Sequence, residues 1–259
     1  MNPPDPSSNQ PRIDSEAAAS RLFAGLMSHD QDDADTPPAA IDGYRLVVRA
    51  GAGGQGTTWV GERLDTEGRA PLRVAVKFLR YSTRGFPRQF WSELEALQAL
   101  RIDCLARIVD SGIAAGHPWI AFEYVDGVDL VEFERTASPG EIVELIARTA
   151  EALARVHDEG FVHRDIKPTN IVARRSDGAP ILIDFGLACP IGSTTLAGSV
   201  VGTAEFMSPE QARGEPSTPS SDQWSLAATG YLMLAGETPH RVLPTSAEQL
   251  ECARTEPAR

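Results

Sequence analysis

Lysine is nearly missing from this chain. Of its 24 basic residues only Lys77 and Lys167 are lysines. Asparagine is as scarce: after Asn2 and Asn9, only Asn170 remains. A chain that otherwise carries positive charge on arginine keeps lysine at two places. Lysine is a compact point charge on a flexible stem, arginine a planar fork, and at phosphate sites the two are not interchangeable. Both lysines are therefore candidate functional residues. A basic surplus is also missing. The 259 residues carry a formal net charge of −12, with a pI near 4.9. That excludes nucleic acid as the main partner, because nothing is left over to neutralise phosphates. The cysteines are Cys104, Cys189 and Cys252, an odd, widely spaced set. They fit a reducing compartment better than a disulfide framework, and each reads first as a small apolar residue. The best apolar run, Ser225 to Gly236, is too short for a membrane span and holds Thr229 and Gly230. Met1-Asn-Pro-Pro-Asp-Pro does not read as a secretory signal, so a cytoplasmic location is expected.

What is present is an ordinary globular composition, 42% hydrophobic and 23% charged. The length suffices for two lobes with a sizeable core. Residues 1–40 read as a disordered tail: six prolines, and seven acids against Arg12 and Arg21. Within it, Glu16 to Met27 has the spacing of a short helix presenting Leu22, Phe23 and Leu26.

Structure is expected from about Ile41. Tyr44 to Ala50 reads as a strand. Gly51-Ala52-Gly53-Gly54-Gln55-Gly56 follows, and Thr57-Thr58-Trp59-Val60 reads as a second strand. Glycines let backbone N–H groups approach phosphates closely. A dinucleotide-binding loop would need a helix next, which the β-favouring Thr-Thr-Trp-Val argues against. A third strand, Leu72 to Leu79, carries Val74-Ala75-Val76-Lys77. Pro87 to Leu100 reads as a helix, with Phe90, Leu94, Leu97 and Leu100 at helical spacing. Ile108 to Ile113 and Trp119 to Phe122 read as further strands. Ser138-Pro139-Gly140-Glu141 predicts a helix start with a capping box, and Gly160 the end of that helix after about Asp158.

The densest stretch is His163-Arg164-Asp165-Ile166-Lys167-Pro168-Thr169-Asn170, followed by Ile181-Leu182-Ile183-Asp184-Phe185-Gly186. The first places an acid, a base and an amide within eight residues, between two apolar runs. The second places another acid at the end of an apolar strand. Phosphoryl transfer needs positioning and charge neutralisation more than covalent help. Mg²⁺ takes oxygen ligands, which a carboxylate and an amide oxygen supply.

These motifs, in this order, resemble those of eukaryotic-type protein kinases, and Gly202-Thr203 through Ser208-Pro209-Glu210-Gln211-Ala212-Arg213-Gly214 is similar to the bacterial serine/threonine kinases. The resemblance covers roughly residues 44–240. It implies an α+β, two-lobed fold: a small antiparallel N-lobe with one helix (41–123), a hinge (124–127) and a mostly helical C-lobe (128–259). ATP and Mg²⁺ would bind between the lobes. By that resemblance Asp165 is the catalytic base and Lys167 neutralises the moving phosphoryl group. Asn170 and Asp184 are the Mg²⁺ ligands. Gly51, Gly53 and Gly56 cover the phosphates, and Thr58 stands where the family usually has Val against adenine. Ala75 lies beside the nucleotide. Lys77 holds the phosphates and pairs with Glu93; Glu95 is the alternative on another helix face, and a solvated helix acid the plain reading of Glu93. Phe122 is the gatekeeper, and the backbones of Glu123 and Val125 hydrogen-bond adenine. Asp222 holds the catalytic loop. Thr194, Thr195 and Ser199 are candidate autophosphorylation sites, which invites a dimer. The implied partners are proteins with serine or threonine hydroxyls.

Two rivals stand beside this reading: a nucleotide-binding regulatory module with weak chemistry, and a small-molecule phosphotransferase. The C-lobe reads as short of the family's last helices, since 23 residues follow Gly236 and none offers Glu210 an arginine partner.

Overall fold

The computed structural model describes residues 37, 39–53, 56–64, 70–79, 88–184, 189–192, 203–240, 243 and 245–255. The tail through residue 36, with its expected helix, lies outside them, as do Thr194, Thr195 and Ser199.

The N-lobe is an antiparallel sheet in the order β1-β2-β3-β5-β4. Its strands are β1 (Tyr44–Gly53), β2 (Gly56–Arg63), β3 (Leu72–Leu79), β4 (Ile108–Ala114) and β5 (His117–Glu123). β1 runs on through the glycines to Gly53, beyond the expected end at Ala50, because its pairing with β2 continues to the tip, where Gly53 faces Gly56. Alternation along β3 sorts the residues physically. Val74, Val76 and Phe78 join Trp59, Trp119, Ala39 and Ile41 in an outer cluster. Leu79 joins the main core, with Ala75 packed against it. Lys77 shares that inner face, since successive side chains point to opposite sides. Helix α1 (Arg88–Ala99) contributes Leu94 and Leu97 to the main core.

After β5 the chain crosses to the C-lobe through Tyr124, Val125 and Asp126. Two short elements follow, β6 (Gly127–Asp129) and α2 (Leu130–Glu134). Helix α3 (Pro139–Asp158) starts as expected: the Ser138 hydroxyl accepts from the Glu141 N–H, and the Glu141 carboxylate accepts from the Ser138 N–H. Its buried stripe is Ile142, Leu145, Thr149, Ala152, Leu153 and Val156. Each fully buried aliphatic side chain there contributes about 1.5–3 kcal/mol over exposure. Thr149 satisfies its hydroxyl by donating to Leu145 O at 2.7 Å.

Strand β7 (Phe161–Val162) pairs with β10 (Cys189–Pro190), and β8 (Ile171–Arg174) lies between β6 and β9 (Pro180–Leu182). A one-turn helix, α4 (Pro209–Ala212), precedes α5 (Pro219–Ala235). α5 starts at Pro219, which fits its first turn, with Thr218 at the N-cap. Gly236, at φ 74°, ends it in the left-handed conformation. Helix α6 (Ser246–Thr255) packs Leu250 and Ala253 against Met207 and Ala212, and Arg254 Nε donates to Ala212 O at 2.6 Å. Glu210 accepts from the Ser221 hydroxyl at 2.6 Å. Among the described residues no helix is long and apolar enough to cross a membrane.

One core runs under both lobes, from Ile120 and Phe122 of β5 to Ile171, Leu182 and Leu226 of the C-lobe. The segment after α1 is stitched to the C-lobe: Ala106 N donates to Leu182 O at 2.9 Å, and Leu182 N to Cys104 O at 2.8 Å.

Candidate active site

The sheet register builds the upper wall. Gly51 pairs with Thr58, Thr58 with Lys77, and Lys77 with Ile120, so these four form one row across β1, β2, β3 and β5. The next row runs Val60, Ala75 and Phe122. Directly paired residues share a face, so Thr58, Lys77 and Ile120 line one side of the sheet. Gly56 sits at the tip with φ 145°, and a Cβ there would collide with the Phe78 carbonyl. That position therefore requires glycine for two reasons, conformation and closeness. Glu93 falls on α1, but its side chain lies outside the described residues.

The hinge forms the back. The Phe122 side chain is buried in the main core. Glu123 N donates to Arg107 O at 2.8 Å, so an adenine contact from this residue falls to its carbonyl. Tyr124 N donates to Arg73 O at 3.2 Å, and the Arg73 guanidinium lies 4.3 Å from the centre of the Tyr124 ring. A cavity of about 620 Å³ opens beside the hinge between Leu100, Ile102, Leu105, Arg107, Arg174 and Ile181. None of the lysines or carboxylates described next lines it.

The lower wall is the stretch 163–170 with Asp184. Lys77 Nζ donates to Asp184 Oδ1 at 2.5 Å and Oδ2 at 2.7 Å, joining the lobes. Asp165 is almost wholly buried. Its Oδ2 accepts from Asn170 Nδ2 at 3.0 Å and lies 3.0 Å from Lys167 Nζ. Its Oδ1 accepts from the Thr203 N–H at 3.1 Å and the Thr203 hydroxyl at 3.0 Å. Lys167 Nζ also donates to Thr203 Oγ1 at 2.8 Å. Burial by itself would raise the Asp165 pKa. The charges of Lys167 and Lys77 and the Lys167 hydrogen bond more than offset it, so the carboxyl is held below its ordinary range. This favours the carboxylate form of Asp165.

His163 is fully buried, and its neutral form satisfies both ring nitrogens. Nε2–H donates to Ile183 O at 3.1 Å, while Nδ1 accepts from the Asp165 N–H at 3.4 Å. Ile183 N donates to Asn170 O at 2.9 Å. The residue before Asp184 is therefore clamped from both sides by the 163–170 stretch. Beneath it, Asp222 on α5 accepts from the His163 N–H, the Arg164 N–H and His157 Nε2–H, each at 2.8 Å. Two residues here take left-handed backbone conformations that side chains disfavour: Arg164 at φ 73° and Asp184 at φ 62°. Such strain persists only where surroundings over-determine the geometry, which these clamps do.

The donor set fits Mg²⁺ bound with phosphate. Asn170 Nδ2 donates to Asp165 O at 2.7 Å as well as to Oδ2, so the amide oxygen faces away from Asp165. With Asp184 that offers two oxygen ligands. Among the described residues no group of three His, Cys, Asp or Glu is arranged to hold a metal. A small ion that takes one or two protein oxygens and completes its shell with phosphate and water matches this sparse set.

Asp165, Lys167, Asn170, Asp184 and Lys77, all named from the sequence, come together here. Thr203, His157 and Gln211 join them only through the fold. Their contacts depend on segments far apart in the chain, and no local pattern signals them.

Residues 44–256 match the protein kinase domain family. Over 212 residues the chain is 34% identical to the serine/threonine-protein kinase pkn2 of Myxococcus xanthus, covering 77% of this chain and 25% of that protein. Over 218 residues it is 36% identical to the serine/threonine-protein kinase PknB of Mycobacterium tuberculosis, covering 79% and 34%. The chain thus spans a quarter to a third of the length of these relatives. Among solved structures, the Cydia pomonella granulovirus kinase PK-1 is similar with a TM-score of 0.59 at 20% identity, covering 80% of this chain and 74% of that one. That last likeness concerns the fold alone. With the motifs in order and the family match spanning both lobes, the chain belongs to the protein kinase domain family.

Proposed function

We propose that this chain transfers the γ-phosphoryl group of Mg-ATP to serine or threonine hydroxyls of proteins. The observation that carries it is the buried Asp165 carboxyl, held by Asn170, Lys167 and Thr203 in the same site as the Lys77–Asp184 pair. The substrate hydroxyl approaches Asp165, which accepts its proton as the oxygen attacks the γ-phosphorus and the bond from that phosphorus to the bridging oxygen breaks, releasing ADP. Lys167 stands next to Asp165 and offsets the charge that moves with the phosphoryl group. Lys77 holds the non-transferred phosphates, and Ala75, Thr58 and the Glu123 and Val125 backbones hold the adenine. Glu93 orients Lys77. Mg²⁺, held by Asp184 and Asn170, would screen phosphate charge. Positioning and electrostatics of this kind are what the reaction asks of a protein.

Lys167 supports hydroxyl substrates of the serine/threonine class, because tyrosine kinases lack lysine at this position of the motif. The same proposal includes a cytoplasmic setting, which three buried, unbridged cysteines suit. It also includes autophosphorylation between two copies at Thr194, Thr195 or Ser199, in the service of bacterial signalling.

The test is label transfer from γ-labelled ATP to a generic basic protein and to the chain itself, with mass spectrometry of the products. Label on serine or threonine is the expected result. Tight Mg-ATP binding with no transfer would replace this reading with that of a nucleotide-binding regulatory module.

A further inference from the structure

We infer that Gln211 is a positioning residue for the catalytic base, acting through the carbonyl of Arg164. The inference rests on the kinase reading above. Gln211 is 5% exposed and sits on α4, 47 residues from the peptide it touches. Its two amide ends do different things. The oxygen accepts from Ser208 N at 3.2 Å and Ser208 Oγ at 3.0 Å, completing the capping box of α4. The nitrogen crosses to the catalytic loop and donates to Arg164 O at 2.9 Å.

Arg164 is the residue that most needs such a contact. It precedes Asp165, and its φ of 73° is a conformation a side chain makes costly. Its N–H is held by Asp222 at 2.8 Å, and its C=O by Gln211. The two grips come from different elements, α5 and α4, and fix both polar groups of one strained residue. Asp165 is the next link in the chain, so the direction of its carboxylate follows from that peptide. Thr203 holds the same carboxylate directly. The segment 203–212 therefore grips the base twice, at its carboxylate and at the peptide behind it. Helix α6 braces the arrangement, because Arg254 and Ala253 pack on α4 beside Gln211.

The capping role and the positioning role can be separated by one substitution. Glutamate completes the same capping box as glutamine, but its carboxylate has no N–H for Arg164 O. If Gln211 only starts a helix, Gln211→Glu leaves the protein as it was. If it positions the base, Gln211→Glu lowers kcat at least about ten-fold, the loss expected for one buried hydrogen bond replaced by an unpaired acceptor. KM for ATP then stays within about two-fold, since Lys77, Asp184 and the hinge are untouched. Gln211→Met removes both roles and should do at least as much damage.

Amide exchange followed by mass spectrometry gives a readout that needs no activity. In Gln211→Glu the peptide covering 163–167 should exchange at least about ten-fold faster, while α3 keeps its protection. Unchanged kcat and unchanged exchange in Gln211→Glu would overturn the inference. So would loss of protection throughout, α3 included, because that marks Gln211 as a determinant of folding alone. If the parent chain transfers no phosphate, the proposed function fails, and the exchange comparison still decides the role of Gln211.

Discussion

Asp165 and Asp184 are carboxylates of one site, held in opposite ways. The Asp165 side chain is 1% exposed, and its partners Asn170, Lys167 and Thr203 belong to its own lobe. The Asp184 side chain is 24% exposed, and its described partner, Lys77, reaches it from the other lobe. The Asp165 carboxylate is thus held within one lobe, whereas the Asp184 carboxylate is held across the cleft. A proton acceptor must be aimed within fractions of an ångström, and a single lobe can provide that rigidity. The Lys77–Asp184 pair joins groups from two lobes, which suits the phosphate-holding role proposed for it.

The comparison breaks most sharply at Asp165. Asp165→Asn should lower kcat by about 10²–10⁴-fold. Mg-ATP binding by calorimetry should barely move, since the nucleotide-holding groups are elsewhere. Activity near that of the parent would refute the base assignment.

Lys77→Arg keeps the charge and changes its shape. A planar fork does not reproduce a point charge seated 2.5 Å from Asp184. Loss of a charged hydrogen bond of about 1.5–3 kcal/mol corresponds to roughly a ten- to hundred-fold fall in kcat/KM for ATP. Here, in contrast to Asp165→Asn, nucleotide affinity should fall as well. Steady-state kinetics with varied ATP separates the two patterns, and equal effects on ATP affinity in both variants would dissolve the contrast.

Thr203→Val sharpens the first half of the comparison. It removes the hydroxyl that bridges Lys167 and Asp165 but leaves the backbone N–H on Asp165. The expected fall in kcat is about five-fold, the effect of roughly 1 kcal/mol. Thr203→Ser, which keeps the hydroxyl, should recover most of it. If serine and valine behave alike, the bridge has no catalytic weight.

The smallest effect is on stability. Burial pushes the His163 pKa below its ordinary 6.5, against the raising influence of Asp222, Asp165 and Asp184. The fold keeps this imidazole neutral while the unfolded chain takes up a proton. Its contribution is therefore complete above about pH 6.5 and is lost as pH falls from there toward the lower folded value. Melting temperature should drop by about 2–4 °C for each kcal/mol forfeited as pH is lowered from 7 to 5. Scanning calorimetry at stepped pH, with Mg-ATP omitted, checks this. A flat profile would mean that folding leaves the His163 pKa unchanged, and a rise in melting temperature on acidification would mean that the fold favours its charged form.

Local pattern was enough for much of the molecule. Strand β3 runs from Leu72 to Leu79, as its apolar and β-branched residues predict. Helix α3 runs from Pro139 to Asp158, between the Ser138 cap and Gly160. Both follow from short-range physics: side-chain periodicity, a capping hydroxyl, a glycine at positive φ. The strand boundaries at Gly53, Ala114 and His117 run past the apolar stretches, because ladder pairing with a neighbour extends a strand where its own residues do not demand it.

The amino-acid sequence by itself determined which groups the site contains. Lys77, Asp165, Lys167, Asn170 and Asp184 stand out because their chemistry is rare or tightly spaced in the chain. Only the tertiary structure decided what holds them. Thr203 on Asp165 and Gln211 on Arg164 are contacts across 38 and 47 residues; Asp222, which the resemblance already assigned to this loop, accepts from the His163 and Arg164 N–H groups across nearly 60. Threonine and glutamine are common polar residues, and nothing in the neighbours of Thr203 and Gln211 sets them apart. They gain their roles when folding buries them beside a strained peptide and a carboxylate. In a desolvated place every donor must find an acceptor.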